Sequence, residues 1–242
     1  MNLAFTLLDW QASAPGLNEP AHWKNWAMQP PAIDSTQQLA KCSQLPMMTA
    51  RRLNSGSRAA VDCGLSVLRR QRVDALVFTS RHGELERNLR ILTALQKQQN
   101  LSPTDFAMSV HNAAVGSLTI AAEAPLVSTS LSAGADSFQQ GMVEVAALHA
   151  AGYPHVLLVD FEGTIPDLYH PHIPDQTLFS AYAVALLLAP GDACHCVSQP
   201  HVTPRASALP QSLLFLHGWL ARQAQFNVPG DRLHWQWTCR YD

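Results

Sequence analysis

Three short stretches of this 242-residue chain carry side chains that could do chemistry. Ser80-Arg81-His82-Gly83-Glu84 follows the apolar run Ala75-Leu76-Val77-Phe78-Thr79. A neutral imidazole in that place could attack phosphorus while arginines hold the phosphoryl oxygens. A second His-Gly pair, His217-Gly218, follows the apolar run 213–216. Val159-Asp160-Phe161-Glu162-Gly163-Thr164 offers an aspartate that could form an aspartyl phosphate. That chemistry needs a downstream cation and a later acidic pair for Mg²⁺. No lysine follows Lys97, and Asp167, Asp175, Asp192 and Asp231 stand singly, so the aspartyl-phosphate reading is excluded. The third stretch is Cys194-His195-Cys196, with His201, His170 and His172. Zinc sites space their cysteines two or more residues apart so that the ligands can share a tetrahedron. Alternate cysteines in an extended segment share a face, which suits packing equally well. No metal and no cofactor is expected.

The elements that must hold these residues follow from the spacing of apolar side chains. Leu3 to Leu8 is a run of strand length, and the Pro/Trp/Asn-rich stretch to Pro31 reads as irregular, with Trp10, Trp23 and Trp26 packed somewhere. From Pro46 a helix is expected, with Leu53, Ala60, Cys63 and Val67 at helical spacing. Asp74 to Thr79 suits a buried strand. Glu84 to Gln98 is helical with Leu85, Leu89, Leu92 and Leu95 on one face, and His111 to Ala122 is a short helix in which Gly116 allows close backbone approach. Leu126 to Ser130 is a strand, and Gly134 to Ala150 a helix with Phe138, Met142, Val145 and His149 along one stripe. Strands at His155 to Phe161, Tyr182 to Ala189, Val197 to Val202 and Leu233 to Cys239 follow, with a helix at Pro210 to Gln225. Strands alternating with helices predict an α/β layered fold whose sheet is buried on both faces.

Composition narrows the functions. Lys plus Arg is 16 against 18 Asp plus Glu, a net charge of −2 with no electrostatic footprint for nucleic acid. Charged residues are only 14% of the chain, against roughly 25% in an average domain. A surface so poor in charge suits a protein that covers part of itself with a partner. No run approaches the ~18 apolar residues of a membrane span, and the opening residues lack the basic region of a signal peptide. The five cysteines have no framework spacing, so reduced thiols and a cytoplasmic location are expected.

Two families match in pieces. Arg81-His82-Gly83 resembles the phosphohistidine motif of histidine phosphatases, which would make the chain a phosphohydrolase. A longer resemblance runs from Pro46 to about Phe161. Pro46-Met47-Met48-Thr49-Ala50-Arg51-Arg52, Ala75 to Ser80, Ser102-Pro103-x-x-Phe106, and Ser109-Val110-His111-Asn112 with Gly116 and Ile120 come in order. Ser128-Thr129-Ser130-Leu131-Ser132-Ala133-Gly134-Ala135-Asp136, a helix and the strand to Phe161 complete it. This series resembles the N-terminal half of a β-ketoacyl synthase of the thiolase fold.

The resemblance implies a thiolase-like layered fold, truncated relative to a full ketosynthase. One domain would span 1–242, with 45–165 the best-matched part and 166–242 a shortened, diverged second half. In an active ketosynthase the last motif reads Thr-Ala-Cys-x-Ser-Gly-x-Asp, and its thiolate takes the acyl chain from acyl carrier protein. Aligned on Gly134 and Asp136, the nucleophile position is Leu131, which cannot be acylated. The Gly-Thr-Gly-Thr and Lys-linked histidine motifs are also missing, so His195, His201, His217 and His234 take neither role. A Cys-less, short paralogue of this kind resembles the chain length factors of type II systems, particularly those of aryl polyene clusters. Such a subunit pairs with an active, Cys-containing ketosynthase, meets acyl carrier protein through that complex, and bounds the tunnel for the growing chain. The resemblance assigns tunnel and interface roles to Phe106, Met108, His111 and Asn112, and to Leu126, Ser128 and Ser130 on the strand expected to pair across the interface.

Overall fold

The computed structural model describes residues 1–173, 178–200, 209–231 and 233–241. In chain order the elements are β1 (Asn2–Ser13), α1 (Pro20–Ala27), α2 (Met47–Ala50), α3 (Ser55–Leu68), β2 (Ala75–Thr79), α4 (Leu85–Gln96), α5 (Pro103–Ala107), α6 (Ala113–Ala122) and β3 (Val127–Leu131). They continue with α7 (Ser137–Ala150), β4 (Val156–Glu162), β5 (Tyr182–Pro200), α8 (Gln211–Leu220), β6 (Gln225–Pro229) and β7 (Leu233–Cys239). The strands form one sheet in the order β3-β2-β4-β5-β7-β6, with β1 also paired to β5. β3, β2 and β4 run parallel, and β5 is antiparallel to β4, β1 and β7.

The period of two along each strand sorts the core into two layers. Ala75, Val77, Val156, Leu158, Val184, Leu186 and Leu188 pack against Phe138, Met142 and Val145 of α7 and Leu213 and Leu216 of α8. Their neighbours Leu76, Phe78, Leu157, Val159, Phe161, Ala183, Ala185 and Leu187 pack against Ala60, Cys63 and Val67 of α3 and Ala114 and Leu118 of α6. Covering both faces explains why β2 and β4 are almost unbroken apolar runs. The result is the expected helix–sheet–helix layering.

Several expectations are corrected. β1 continues to Ser13, beyond the apolar run, because β5 pairs with it from Asn2 to Ser13. The stretch read as irregular contains α1, started by Pro20 and held by Trp23 and Trp26, which are buried edge to face at 5.3 Å. The two strands expected at 182–189 and 197–202 are one strand, β5, which passes through Pro190-Gly191 as its neighbour changes from β4 to β7. Val202 lies outside the described residues. The helix expected to reach Gln225 stops at Leu220, and β6 follows with Phe226 and Val228 turned inward. Gly116 faces open space; the close approach is at Gly56, where a Cβ would meet the backbone of Glu162 and Gly163. The thiols are not all reduced: Cys194 and Cys239 form a disulfide, because the β5/β7 register sets them directly opposite with Cα atoms 4.2 Å apart.

Candidate functional site at the ends of β2, β3 and β4

Parallel pairing brings three strand ends to one place. Thr79 is level with Leu131 on one side and Asp160 on the other, so the residues following each strand share one edge of the sheet. In open α/β sheets this carboxyl edge is where ligand sites form. Leu131 is half-buried against the core layer that includes α7. After it, Ser132, Ala133 and Gly134 (φ +60°) turn the chain into α7. The strand-to-helix turn is therefore present, with an aliphatic side chain at its tip.

Beside it, Ser80 to Gly83 is clamped by Glu162. The Glu162 carboxylate accepts from the backbone N–H of Arg81, from Ser80 Oγ at 3.1 Å and from the His82 N–H at 3.2 Å. Gly83, at φ +55°, donates its N–H to Ser80 Oγ at 2.8 Å. His111 Nε2 lies 3.0 Å from the Ser80 carbonyl, and Ser132 Oγ donates to the Arg81 carbonyl at 3.2 Å. The ends of β2 and β4, the turn after β3 and the start of α6 are thus tied together through polar contacts.

This geometry gives no support to the phosphohydrolase reading. His82 Nδ1 stands 3.3 Å from Glu162 Oε2 without a hydrogen bond of usable geometry, and a phosphoryl group there would face the carboxylate. The other histidine of that reading, His217, is engaged elsewhere: Nε2 is 2.7 Å from the Gln29 carbonyl and the ring stands edge-on to Trp26. Asp160, the aspartate of the excluded second motif, is 4% exposed. Its carboxylate accepts from Thr79 Oγ1 at 2.6 Å, Tyr182 Oη at 3.0 Å and Ser212 Oγ at 2.6 Å. Burial pushes its pKa up to about 6, against the pull of the Ser212 and Thr79 hydroxyls. It is a structural knot joining β2, β4, β5 and α8.

The residues assigned by resemblance fall in three settings. Phe106, on α5, is 68% exposed. Met108 packs on the layer containing α3 and α6, as does Leu126. His111 reaches the β2 turn, and Asn112 is exposed at the start of α6. Ser128 and Ser130 lie on β3, which has a sheet neighbour on one side only; Ser128 is exposed and Ser130 Oγ is buried without a partner. The first three do not form one wall: His111 joins the strand-end site while Phe106 points to solvent. The sequence reading missed that further apolar side chains in the same stretch of sequence are exposed. Leu92 and Leu95 of α4, Val110, Ile120 of α6 and Val127 of β3 are exposed with Phe106, all within residues 92–127. The leucine stripe of α4 is legible in the sequence; that its face is left uncovered is not, and Arg87 is the one buried residue of that helix.

Among the described residues no group of three or more His, Cys, Asp or Glu could hold a metal ion, and Cys194 is taken up by its disulfide. His201 lies outside the described residues. Among the described residues no helix is long and apolar enough to cross a membrane.

Comparison with solved structures finds a chain from the complex of a ketosynthase (ApeO) with its chain length factor (ApeC) from Xenorhabdus doucetiae. It is 57% identical, with 98% of this chain and 99% of that chain covered and a TM-score of 0.95. The ishigamide ketosynthase/chain length factor is 12% identical over 83% of this chain and 68% of that one, with a TM-score of 0.64. A type II polyketide synthase acyl-carrier protein in complex with its ketosynthase gives 10% identity, coverage of 99% and 100%, and a TM-score of 0.69. These last two share the fold. A comparison with curated proteins finds no match. The family described as β-ketoacyl synthase, N-terminal domain, matches residues 23–238. With its strand-to-helix turn at Leu131 and its layered sheet, the chain belongs to the β-ketoacyl synthase family.

Proposed function

We propose that this chain is the non-catalytic chain length factor of a two-subunit ketosynthase, working on acyl chains carried by acyl carrier protein in the cytoplasm. The observation that carries this reading is Leu131: the turn that would present a nucleophile at a helix N-terminus is kept, and its side chain cannot form a thioester. Chain 1–242 acts as a single ketosynthase-like unit with a shortened second half, needs no cofactor, and relies on a Cys-containing partner for condensation. The exposed apolar side chains between Leu92 and Val127, on a chain with 14% charged residues, support a covered face around the free edge of β3. The relative from Xenorhabdus doucetiae, solved as a ketosynthase with its chain length factor, supports the same assembly.

Phe106, Met108, His111 and Asn112 bound the tunnel on this subunit's side at separate places rather than as one wall. Leu126, Ser128 and Ser130 belong to the strand that meets the partner. Coexpression with the ketosynthase followed by size-exclusion chromatography tests the assembly. The two chains are expected to coelute, and this chain alone is expected to show no condensing activity. A stable monomer that ignores the ketosynthase, or one that hydrolyses p-nitrophenyl phosphate, would overturn the reading. In the complex, Phe106→Ala or Met108→Ala is expected to lengthen the product; unchanged length in both would remove these residues from the tunnel.

A further inference from the structure

An ion cluster built on the buried Arg87 and Glu84 reaches Asp105 of α5, next in sequence to the exposed Phe106. Arg87 and Glu84 side chains are each 3% exposed and paired at 3.1 Å through Arg87 Nε. Arg87 Nη1 donates to Asp105 Oδ1 at 2.5 Å, and Nη2 donates to the Arg52 carbonyl at 2.7 Å. Arg90 Nη2 reaches the same Asp105 oxygen at 3.0 Å and Asn54 Oδ1 at 3.1 Å. Glu84 in turn accepts from Asn54 Nδ2 at 2.7 Å and from Ser57 Oγ. One guanidinium fork therefore links the start of α3, the start of α4 and the middle of α5.

The linkage matters because, among the described contacts, α5 is held only through Asp105 and at its ends, by the Ser102 cap and by Met108 packing on the core. None of its residues is buried, and Phe106, next to Asp105, is 68% exposed. A five-residue helix gains too little from its own backbone hydrogen bonds to keep one orientation. What fixes it is the Asp105 carboxylate, held below the usual range by the Arg90 hydrogen bond and the charges of Arg90 and Arg87. Only an arginine can hold Glu84, Asp105 and a carbonyl at once, because the fork offers separate donors in a fixed plane.

We propose that Arg87 and Asp105 are positioning residues: their ion pair fixes α5, and with it the place of Phe106 on the partner-facing surface, so that the cluster sets how sharply product length is defined. This rests on the chain length factor reading above. Truncating Arg87 would leave the buried Glu84 carboxylate without its cation, so the informative variants are Arg87→Lys, which keeps the charge and loses the fork, and Asp105→Asn, which keeps the shape.

The test uses the coexpressed complex with its ketosynthase and two readouts, amide hydrogen exchange over residues 103–108 and the mass distribution of acyl chains on the carrier protein. Both variants are expected to copurify with the ketosynthase in wild-type amounts. They should exchange at least about tenfold faster over that segment, the signature of local opening, and should spread product over more chain lengths. Asp105→Glu, which restores the carboxylate, should recover part of both. Unchanged exchange in Asp105→Asn overturns the proposal. So does faster exchange with unaltered products while Phe106→Ala alters them. If Phe106→Ala leaves products unaltered, Phe106 is no tunnel residue and this inference fails, while Met108→Ala still tests the tunnel reading.

Discussion

Replacing Asp160 by asparagine takes one titratable group out of the middle of the fold and leaves its shape. In the native protein its pKa stands at about 6, against 3.8 for an ordinary aspartate, chiefly because burial disfavours the charged form. Between those values the folded chain holds a proton that the unfolded chain has released. Stability from this group is therefore complete below the unfolded value and is lost as pH rises through the folded one. The loss amounts to about 3 kcal/mol in full, of which about 1 kcal/mol falls between roughly pH 5 and pH 7.5. The substituted asparagine would be neutral throughout, with its amide oxygen accepting hydroxyl protons and the Thr79 hydroxyl able to turn and accept from the amide nitrogen. Urea unfolding of both proteins at two pH values, read from tryptophan fluorescence, isolates the effect. Asp34, Asp74 and Asp105, held below the ordinary value, slope the other way in both proteins and cancel in the difference. The asparagine variant should gain about 1 kcal/mol on the wild type between about pH 5 and pH 7.5. Parallel pH profiles, or a gain towards low pH, would refute the reasoning. Asp160→Leu is the contrasting variant. It strands the hydroxyls of Thr79, Tyr182 and Ser212 and should cost about 1–3 kcal/mol for each left unpaired.

Other expectations are simpler to state. Gly56→Ala pushes a methyl into the backbone of Glu162 and Gly163 and should cost about 1–3 kcal/mol, visible as a lowered Tm. Gly116→Ala in α6 meets nothing within 4 Å and should raise stability by about 0.5–1 kcal/mol; a loss would mean that α6 packs more closely than described. Val127→Glu puts a charge on the exposed edge of β3 and should reduce ketosynthase recovered by copurification about tenfold or more, with an unchanged circular dichroism spectrum. Undiminished recovery would take β3 out of the interface.

What can be read from the residues depends on how local each signal is. β2 and β4 are legible because a strand buried on both faces must be apolar at every position, and Leu76 and Val77 serve opposite layers. α3 and α7 announce themselves through a repeating apolar face. α1 is short and its two tryptophans find their partners in distant elements, so no period marks it. Pro190-Gly191 reads as the end of a strand, yet β5 runs through it, since the change of neighbour there is a fact of sheet topology. The Cys194–Cys239 bond is decided by the β5/β7 register, which the intervening loop and helix conceal. At the site, the turn from β3 into α7 can be found from Gly134 and Asp136, with Leu131 at the end of the strand. Glu162 cannot be assigned its clamp, because its ligands lie 80 residues earlier in the chain. Arg87 reads as one charge on a solvated helix; its pairing depends on Asp105 and the Arg52 carbonyl arriving from two other parts of the chain.

The pairing of β1 with β5 has a bearing on how the chain is made. Asn2 is level with Val197 and Ser13 with Ala183, so β1 is made about 170–195 residues before the strand it pairs with. At about 5–20 residues per second, β1 waits on the order of 10–40 s with Leu3 and Phe5 uncovered. During that interval the sequence 2–13 is an unpaired apolar strand beside a growing chain. Cotranslational folding can begin with β2, β3, β4 and the helices between them, but the β1–β5 pair can close only after β5 has emerged. Supply of folded subunit is thus set by a late event, and a chaperone that shelters the N-terminal strand would be expected to raise the yield more than slower synthesis would.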